Sequence, residues 1–361
     1  MSRFPLPPGS TIGILGGGQL GRMLAMAAAR LGFDTAVLTP QPDSPAARVA
    51  AHSILAPHDD PAGLAELARL ADVVTYEFEN VPAAAIETLT RAGAEVAPGA
   101  RPLAIGQDRV LEKTFINKAD VATVAFAPVD SADDLRGAMR RLGAPLLLKT
   151  RRGGYDGKGQ VWVGRAKDAE GAFASVGERP CIAEAPADFR RELAIIAARG
   201  RDGEVAFYPL TESHHENGIL RRTVAPAAAT PALVAAAERI AATLLSALEY
   251  VGVIGVELFE TVGGALLVNE FAPRVHNTGH WTLDGCPVDQ FEQHIRAIAG
   301  WPLGPTEARA YVEMTNLLGD DIARWPQLAE NPDARVWFYG KGEACPGRKM
   351  GHVNRLSPLR P

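Results

Sequence analysis

A short apolar run, TIGIL at residues 11–15, passes without a linker into GGGQLGRM, and Leu20, Met23, Leu24, Ala27, Ala28 and Leu31 then recur at helical spacing. Strand, glycine turn and helix in immediate succession commit this part of the chain to a parallel sheet covered by helices. Further alternation follows: DTAVLT, ADVVTYEFE and AGAEVAP read as strands, with PAGLAELARL and PAAAIETLTRA as helices between them. Residues 1–112 are therefore predicted to form a Rossmann-like domain. The turn itself, Gly16 to Gly21, fits G-x-G-x-x-G, whose main-chain N–H groups and helix dipole can hold a phosphate. Three readings stay open: a nicotinamide cofactor, another phosphate-bearing ligand, or a turn that serves only the fold. The first lacks its acidic ribose partner, because the second strand ends in Thr39 and Pro40. Gln19 stands where a side chain can reach a ligand.

Beyond residue 112 the pattern changes. The helix DDLRGAMRRLG, the strand PLLLK, the loop TRRGGYDGKG and the strand QVWVG suggest a small α/β unit over about 113–184. RELAIIAARG and EVAFYPL read as strands around an Arg-Asp-Gly turn, and VGVIGVELFE and ALLVNEFAP as a hairpin around Gly263 and Gly264, so the sheet over about 185–300 is expected to be largely antiparallel. Residues 301–361 read as a small appended unit. If the two glycines are the central residues of a tight turn, counting outward places Glu257 opposite Glu270. Facing carboxylates lie about 5 Å apart at Cβ and repel unless a proton or cation intervenes. Magnesium suits such a pair; a solvated face with Arg or Lys partners is the alternative. The loop GGYDGKG, with Lys149 ending the strand before it, either folds over phosphates or is a plain hairpin connection.

With 361 residues and a net charge of −5, the chain has no broad basic surface for a nucleic acid. Cys181, Cys286 and Cys345 are odd in number and far apart, which indicates neither a disulfide framework nor a structural zinc site. No apolar run is long enough to span a bilayer, and the opening MSRFPLPPGS lacks an apolar leader, so no membrane partner and a cytoplasmic location are expected.

Together GGGQLGRM (16–23), YEFEN (76–80), GGYDGKGQ (153–160), FYPLTESHHENGIL (207–220), NEFAPRVHNTGHW (269–281) and PGRKMGH (346–352) resemble one family across nearly the whole chain: the 5-(carboxyamino)imidazole ribonucleotide synthases of the ATP-grasp superfamily. The resemblance implies an α/β and α+β multidomain ATP-grasp fold and a homodimer. It implies a reaction of ATP, bicarbonate and aminoimidazole ribonucleotide to give the N-carboxylated nucleotide, ADP and phosphate, through carboxyphosphate, with magnesium, or manganese in its place. By position it implies nucleotide contacts at Arg109, Lys149, Gly154, Tyr155, Asp156, Gly157, Lys158, Gly159, Glu184, Glu192, His215, Asn269 and Glu270, and metal ligands at Glu257 and Glu270. For the ribonucleotide it implies Gln19, Leu20, Glu77, Tyr155, Arg274, His276, Asn277, Arg348 and Lys349, with Asp156, Arg274, His276 and Lys349 nearest the chemistry. Ala-Pro-Ala after Glu184, and Arg190 and Arg191, depart from the family pattern in the expected adenine wall, and Thr278 replaces a more common Ser. The nearest rival is the formate-using glycinamide ribonucleotide transformylase, whose Arg-Pro-His-Asp run differs from RVHNTGHW. A nicotinamide oxidoreductase and a non-catalytic nucleotide sensor are the rivals from other classes.

Overall fold

The structure, a computed structural model, describes residues 4–154 and 158–359; the expectations at Tyr155, Asp156 and Gly157 lie outside the described residues. Four parallel strands form the first sheet, in the order His52–Leu55, Asp34–Thr39, Thr11–Leu15, Val73–Tyr76. Helix Gln19–Arg30 starts directly after the glycine turn and buries Leu20, Met23, Leu24 and Ala28. His52–Leu55 escaped the sequence reading because it is an edge strand with one buried residue, Ile54, and so shows no apolar alternation. AGAEVAP, expected to be a strand, contributes only an isolated bridge from Val96 to Val74.

The next unit is a four-stranded antiparallel sheet in the order Phe126–Val129, Cys181–Glu184, Leu146–Thr150, Gln160–Val163, backed by helices Ala132–Leu142 and Ala169–Ser175. Pairing of Lys149 with Gln160 brings both ends of the glycine-rich loop to one end of this sheet. Asp108 caps helix Arg109–Lys118 by accepting from the Val110 and Leu111 N–H groups, and it also binds Arg151 and Arg152 at the loop's entry.

The largest sheet has nine strands. Its path runs Leu266–Ala272, Gly252–Thr261, Phe189–Arg199, Thr211–Glu216, Ile219–Ala225, Tyr311–Leu318, Lys349–Ser357, Ala334–Phe338, with Val205–Phe207 paired to Phe189–Arg199. Strands from the expected C-terminal unit therefore continue the sheet of the preceding one. Along Phe189–Arg199, Leu193, Ile195 and Ala197 pack toward helix Pro231–Ala247, while Ile196 and Ala198 join the core that includes helices Gln290–Ala299 and Gln19–Arg30. Both faces are covered, which is why LAIIAA is continuously apolar. Register shifts interrupt the ladders at Glu257/Leu258, His214/His215 and Leu317/Leu318.

The hairpin turn corrects the sequence reading. Thr261 N–H donates to Ala265 O at 2.9 Å and Gly264, at φ +81°, donates to Thr261 O at 2.9 Å, so the loop has three residues, 262–264, rather than two. Pairing is thereby displaced by one, with Phe259 opposite Leu267 and Leu258 opposite Val268. A bulge at Asn269 then restores the expected Glu257–Glu270 pair.

Candidate active site

A cleft of about 720 Å³ lies between the glycine turn, the small antiparallel sheet and the nine-stranded sheet. Of the expected residues, Gln19, Leu20, Glu77, Arg109, Lys149, Gly154, Lys158, Gly159, Glu192, His215, Glu257, Asn269, Glu270, Arg274, His276, Asn277 and Lys349 line it. Among the described residues, Glu184 and Arg348 are expected members that the cleft lining does not include.

Glu257 and Glu270 face each other across the hairpin, and their electrostatics are unequal. Burial and the Glu270 charge push the Glu257 carboxyl up to about 7. For Glu270 burial acts in the same direction, but the Arg109 guanidinium, hydrogen-bonded to it, and the Lys149 and Lys113 ammonium groups together outweigh burial and hold it at about 2. Arg109 also donates to Gly154 O at 3.1 Å, so one side chain joins the carboxylate pair to the glycine-rich loop. Asn269, beside the pair at the bulge, places its amide 3.4 Å from Glu257 Oε2. Glu257 is left as a carboxylate that holds a proton near neutrality unless a cation replaces it, and two facing glutamates are an oxygen ligand set suited to magnesium.

The nucleotide side is built around buried charge. Lys149 Nζ lies 2.6 Å from Glu184 Oε2, and Lys113 Nζ is 3.3 Å from Glu184 Oε1. Glu184 therefore sits behind Lys149, as the anion that positions this lysine at the cleft wall. Burial works against ionisation of Glu184, yet the two ammonium groups hold its carboxyl below the usual range. Glu192 makes a 2.7 Å contact with His215 Nδ1, which raises the imidazole against the effect of burial. Arg191, one of the departures from the family pattern, bonds Glu260, Glu212 and the Ala228 carbonyl. Phe189 and Phe259 stack at 4.6 Å between centroids and both line the cleft.

At the other end, the glycine turn is filled from within. Glu77, 7% exposed, accepts from Gly18 N–H at 2.6 Å and Gly21 N–H at 3.1 Å. A Cβ on Gly18 would meet Glu77 Oε1 at 2.6 Å, so a side chain here would push the carboxylate away from its two N–H donors. The turn's anion is thus the protein's own carboxylate, lying where the sequence suggested a phosphate. Arg274 is hydrogen-bonded to Glu79 and donates to Val275 O. His276 Nδ1 lies 2.8 Å from the Thr278 hydroxyl, and its Nε2 faces Glu257 Oε1 at 3.7 Å. Burial, with Arg274 and Lys349 nearby, lowers the imidazole to about 3, so it is neutral at ordinary pH. The ring lies against Gly255, where a Cβ would meet His276 Cβ at 2.6 Å. Asn277 and Asn316 exchange reciprocal amide bonds of 3.1 and 2.7 Å. Arg348 donates to Glu343 O at 2.8 Å.

Glu79, Glu112, Lys113 and Asn316 were missed by the sequence reading. Arg109, Glu112 and Lys113 stand at i, i+3 and i+4 on helix Arg109–Lys118, whose Leu111 is 44% exposed. That inversion of the ordinary amphipathic pattern was the available signal. Asn316 had none, because its partner Asn277 is 39 residues away.

Three family models match the chain: an ATP-grasp domain over residues 114–291, a ribonucleotide synthetase preATP-grasp domain over 10–107, and a phosphoribosylaminoimidazole carboxylase C-terminal domain over 313–359. The N5-carboxyaminoimidazole ribonucleotide synthase of Brucella melitensis is 50% identical over 360 residues, covering 99% of each chain. An ADP complex of an N5-carboxyaminoimidazole ribonucleotide synthetase superposes with a TM-score of 0.94 at 41% identity, covering 98% of this chain and 94% of that one. An Aspergillus clavatus N5-carboxyaminoimidazole synthase, in complex with ADP and 5-aminoimidazole ribonucleotide, gives a TM-score of 0.91 at 32% identity over 97% and 94%.

Proposed function

Because the chain belongs to the N5-carboxyaminoimidazole ribonucleotide synthase family, we propose that it uses ATP to carboxylate the amine of 5-aminoimidazole ribonucleotide with bicarbonate, releasing ADP and phosphate, in purine synthesis. The observation that carries this reading is the Glu257–Glu270 pair, opposed on neighbouring strands in one cleft with Arg109 and the base of the glycine-rich loop.

Bicarbonate is a poor electrophile, so transfer of the γ-phosphoryl group to it, forming carboxyphosphate, precedes attack by the amine. Glu257 and Glu270 would hold magnesium, which when bound offsets negative charge on the nucleotide phosphates. Lys149, held by Glu184, and the loop amides of Gly154 and Gly159 add positive potential at the same phosphates. The Glu192–His215 pair is assigned to the nucleotide sugar, and the stacked Phe189 and Phe259 to an apolar wall. Arg274, fixed by Glu79, orients the anionic substrate, and neutral His276 is a hydrogen-bonding rather than a basic group. Of the three candidates for taking the amine proton, the permanent charge on Arg274 and the weak basicity of His276 favour Asp156. Lys349 joins the ribonucleotide end of the cleft, while the phosphate role expected for Arg348 would require its release from Glu343 O. Assembly as a homodimer and a cytoplasmic location belong to the same reading.

The test is ADP release with labelled bicarbonate, with and without aminoimidazole ribonucleotide, and with formate and glycinamide ribonucleotide in parallel. Label in an acid-labile carbamate that appears only with the imidazole nucleotide is the expected result. Turnover with formate alone would transfer the chain to the rival transformylase reaction.

A further inference from the structure

Glu270 lies on Leu266–Ala272, the strand that ends the nine-stranded sheet. Edge strands leave main-chain groups without a ladder partner, and a bulge removes further partners from the regular pattern. Here those groups are met from outside the sheet. Val268 N–H donates to Ala122 O at 2.8 Å. At the bulge, two consecutive side chains of helix Arg109–Lys118 take over: Lys113 Nζ donates to Asn269 O at 2.7 Å, and Glu112 Oε1 accepts from Phe271 N–H at 2.7 Å. Both side chains are buried, at 1% and 2% exposure. One donor and one acceptor thus hold the peptide groups immediately before and after Glu270.

A strictly alternating ladder continued from the turn would put Asn269 opposite Glu257 and direct Glu270 to the other face. We propose that Lys113 and Glu112 are positioning residues that fix the bulge and so keep Glu270 opposite Glu257, setting how tightly the site takes a divalent cation together with a nucleotide. The inference rests on the reading of this pair as metal ligands. Lys113 also contacts Glu184, but that carboxylate keeps Lys149 at 2.6 Å if Lys113 is lost, so a Lys113→Met protein retains a partner for every buried carboxylate at this point.

The experiment compares ADP binding by calorimetry in magnesium and in EDTA, with Mn2+ binding followed by electron paramagnetic resonance. Lys113→Met and Glu112→Leu are expected to lose about tenfold or more of the metal-dependent gain in ADP affinity while binding in EDTA stays within about twofold, the size of loss typical for groups that orient metal ligands. Glu112→Gln keeps an acceptor for Phe271 N–H and is expected to match the parent, which separates positioning from a general loss of structure. Folded Lys113→Met and Glu112→Leu proteins with a parental metal-dependent gain would overturn the proposal. If Lys113→Met does not fold, the Leu and Gln variants at 112 decide it alone: equal metal dependence in the two overturns it. A parent protein with no metal-dependent gain would remove the metal-ligand reading and this inference together.

Discussion

The glycine turn at residues 16–21 and the hairpin at 252–272 both bring carboxylates to the cleft, and they use them in opposite ways. In the turn, Glu77 is consumed internally: Gly18 and Gly21 bind both its oxygens, and the helix dipole of Gln19–Arg30 is already offset. In the hairpin, Glu270 is paired with the Arg109 guanidinium, while burial and the Glu270 charge push Glu257 up to about 7. A glycine pattern reports what the backbone permits and says nothing of which anion fills it. An opposed acidic pair reports a charge that the fold has not neutralised, which makes it the stronger functional signal.

That contrast can be broken most directly at Glu270. Glu270→Gln is expected to reduce ribonucleotide-dependent ADP release by on the order of 10²–10³-fold with an unchanged circular dichroism spectrum, and near-normal turnover would leave the two regions equivalent. A second test uses His294, which ties the strand leading to Glu77 to the strand of Glu257: its Nε2 lies 2.8 Å from the Thr75 hydroxyl of the first sheet, and its Nδ1 accepts from Val253 N–H. Burial lowers this imidazole to about 3, below its unfolded value near 6.5. The folded state therefore resists protonation, and the stability that neutral His294 contributes is present above about pH 6.5 and is lost as pH falls toward 3. Relative to His294→Gln, the parent should lose about 2 kcal/mol of unfolding free energy between pH 6.5 and 5; parallel pH profiles in denaturant titrations would refute the assignment.

A smaller effect is expected inside the turn. Glu77→Ala leaves two N–H groups at a helix N-terminus without their anion, and a loss of about 1–2 kcal/mol follows. Added sulfate should restore part of the melting temperature in this variant and not in the parent, since the vacated turn regains its intrinsic anion affinity. The smallest effect is expected at the imidazole beside the pair: Thr278→Val removes the hydroxyl on His276 Nδ1 and should lower turnover by about three- to tenfold, with Thr278→Ser close to the parent.

Much of the fold was legible because local periodicity and burial agree: Pro61–Leu70, Ala132–Leu142 and the apolar run LAIIAA within Phe189–Arg199 each carry their own signal. The edge strand His52–Leu55 does not, having too little buried surface to impose a pattern. In the site, Glu257 and Glu270 were found by counting from a two-residue turn, and the count reached the right pair because a three-residue loop and a one-residue bulge offset each other. Glu79, Glu112, Lys113 and Asn316 act through partners distant in the chain, and long-range pairing leaves no trace in local composition.

The register shifts have a consequence for the shape of the whole enzyme. The strand of Glu270 and the strand of Lys349 are six steps apart in one sheet, a flat width of about 29 Å at about 4.8 Å per step, yet both residues border the same cavity. The sheet must curl into a trough, and register irregularities such as those at Glu257, His215 and Leu318 are of the kind that bends a strand as well as re-aiming its side chains. Curvature is then a dimension of substrate selection. Gly351, where a Cβ would meet Trp337 O at 2.6 Å, has no side chain near the chemistry, and a substitution there should act at a distance by flattening the trough and widening the gap that the two substrates must bridge.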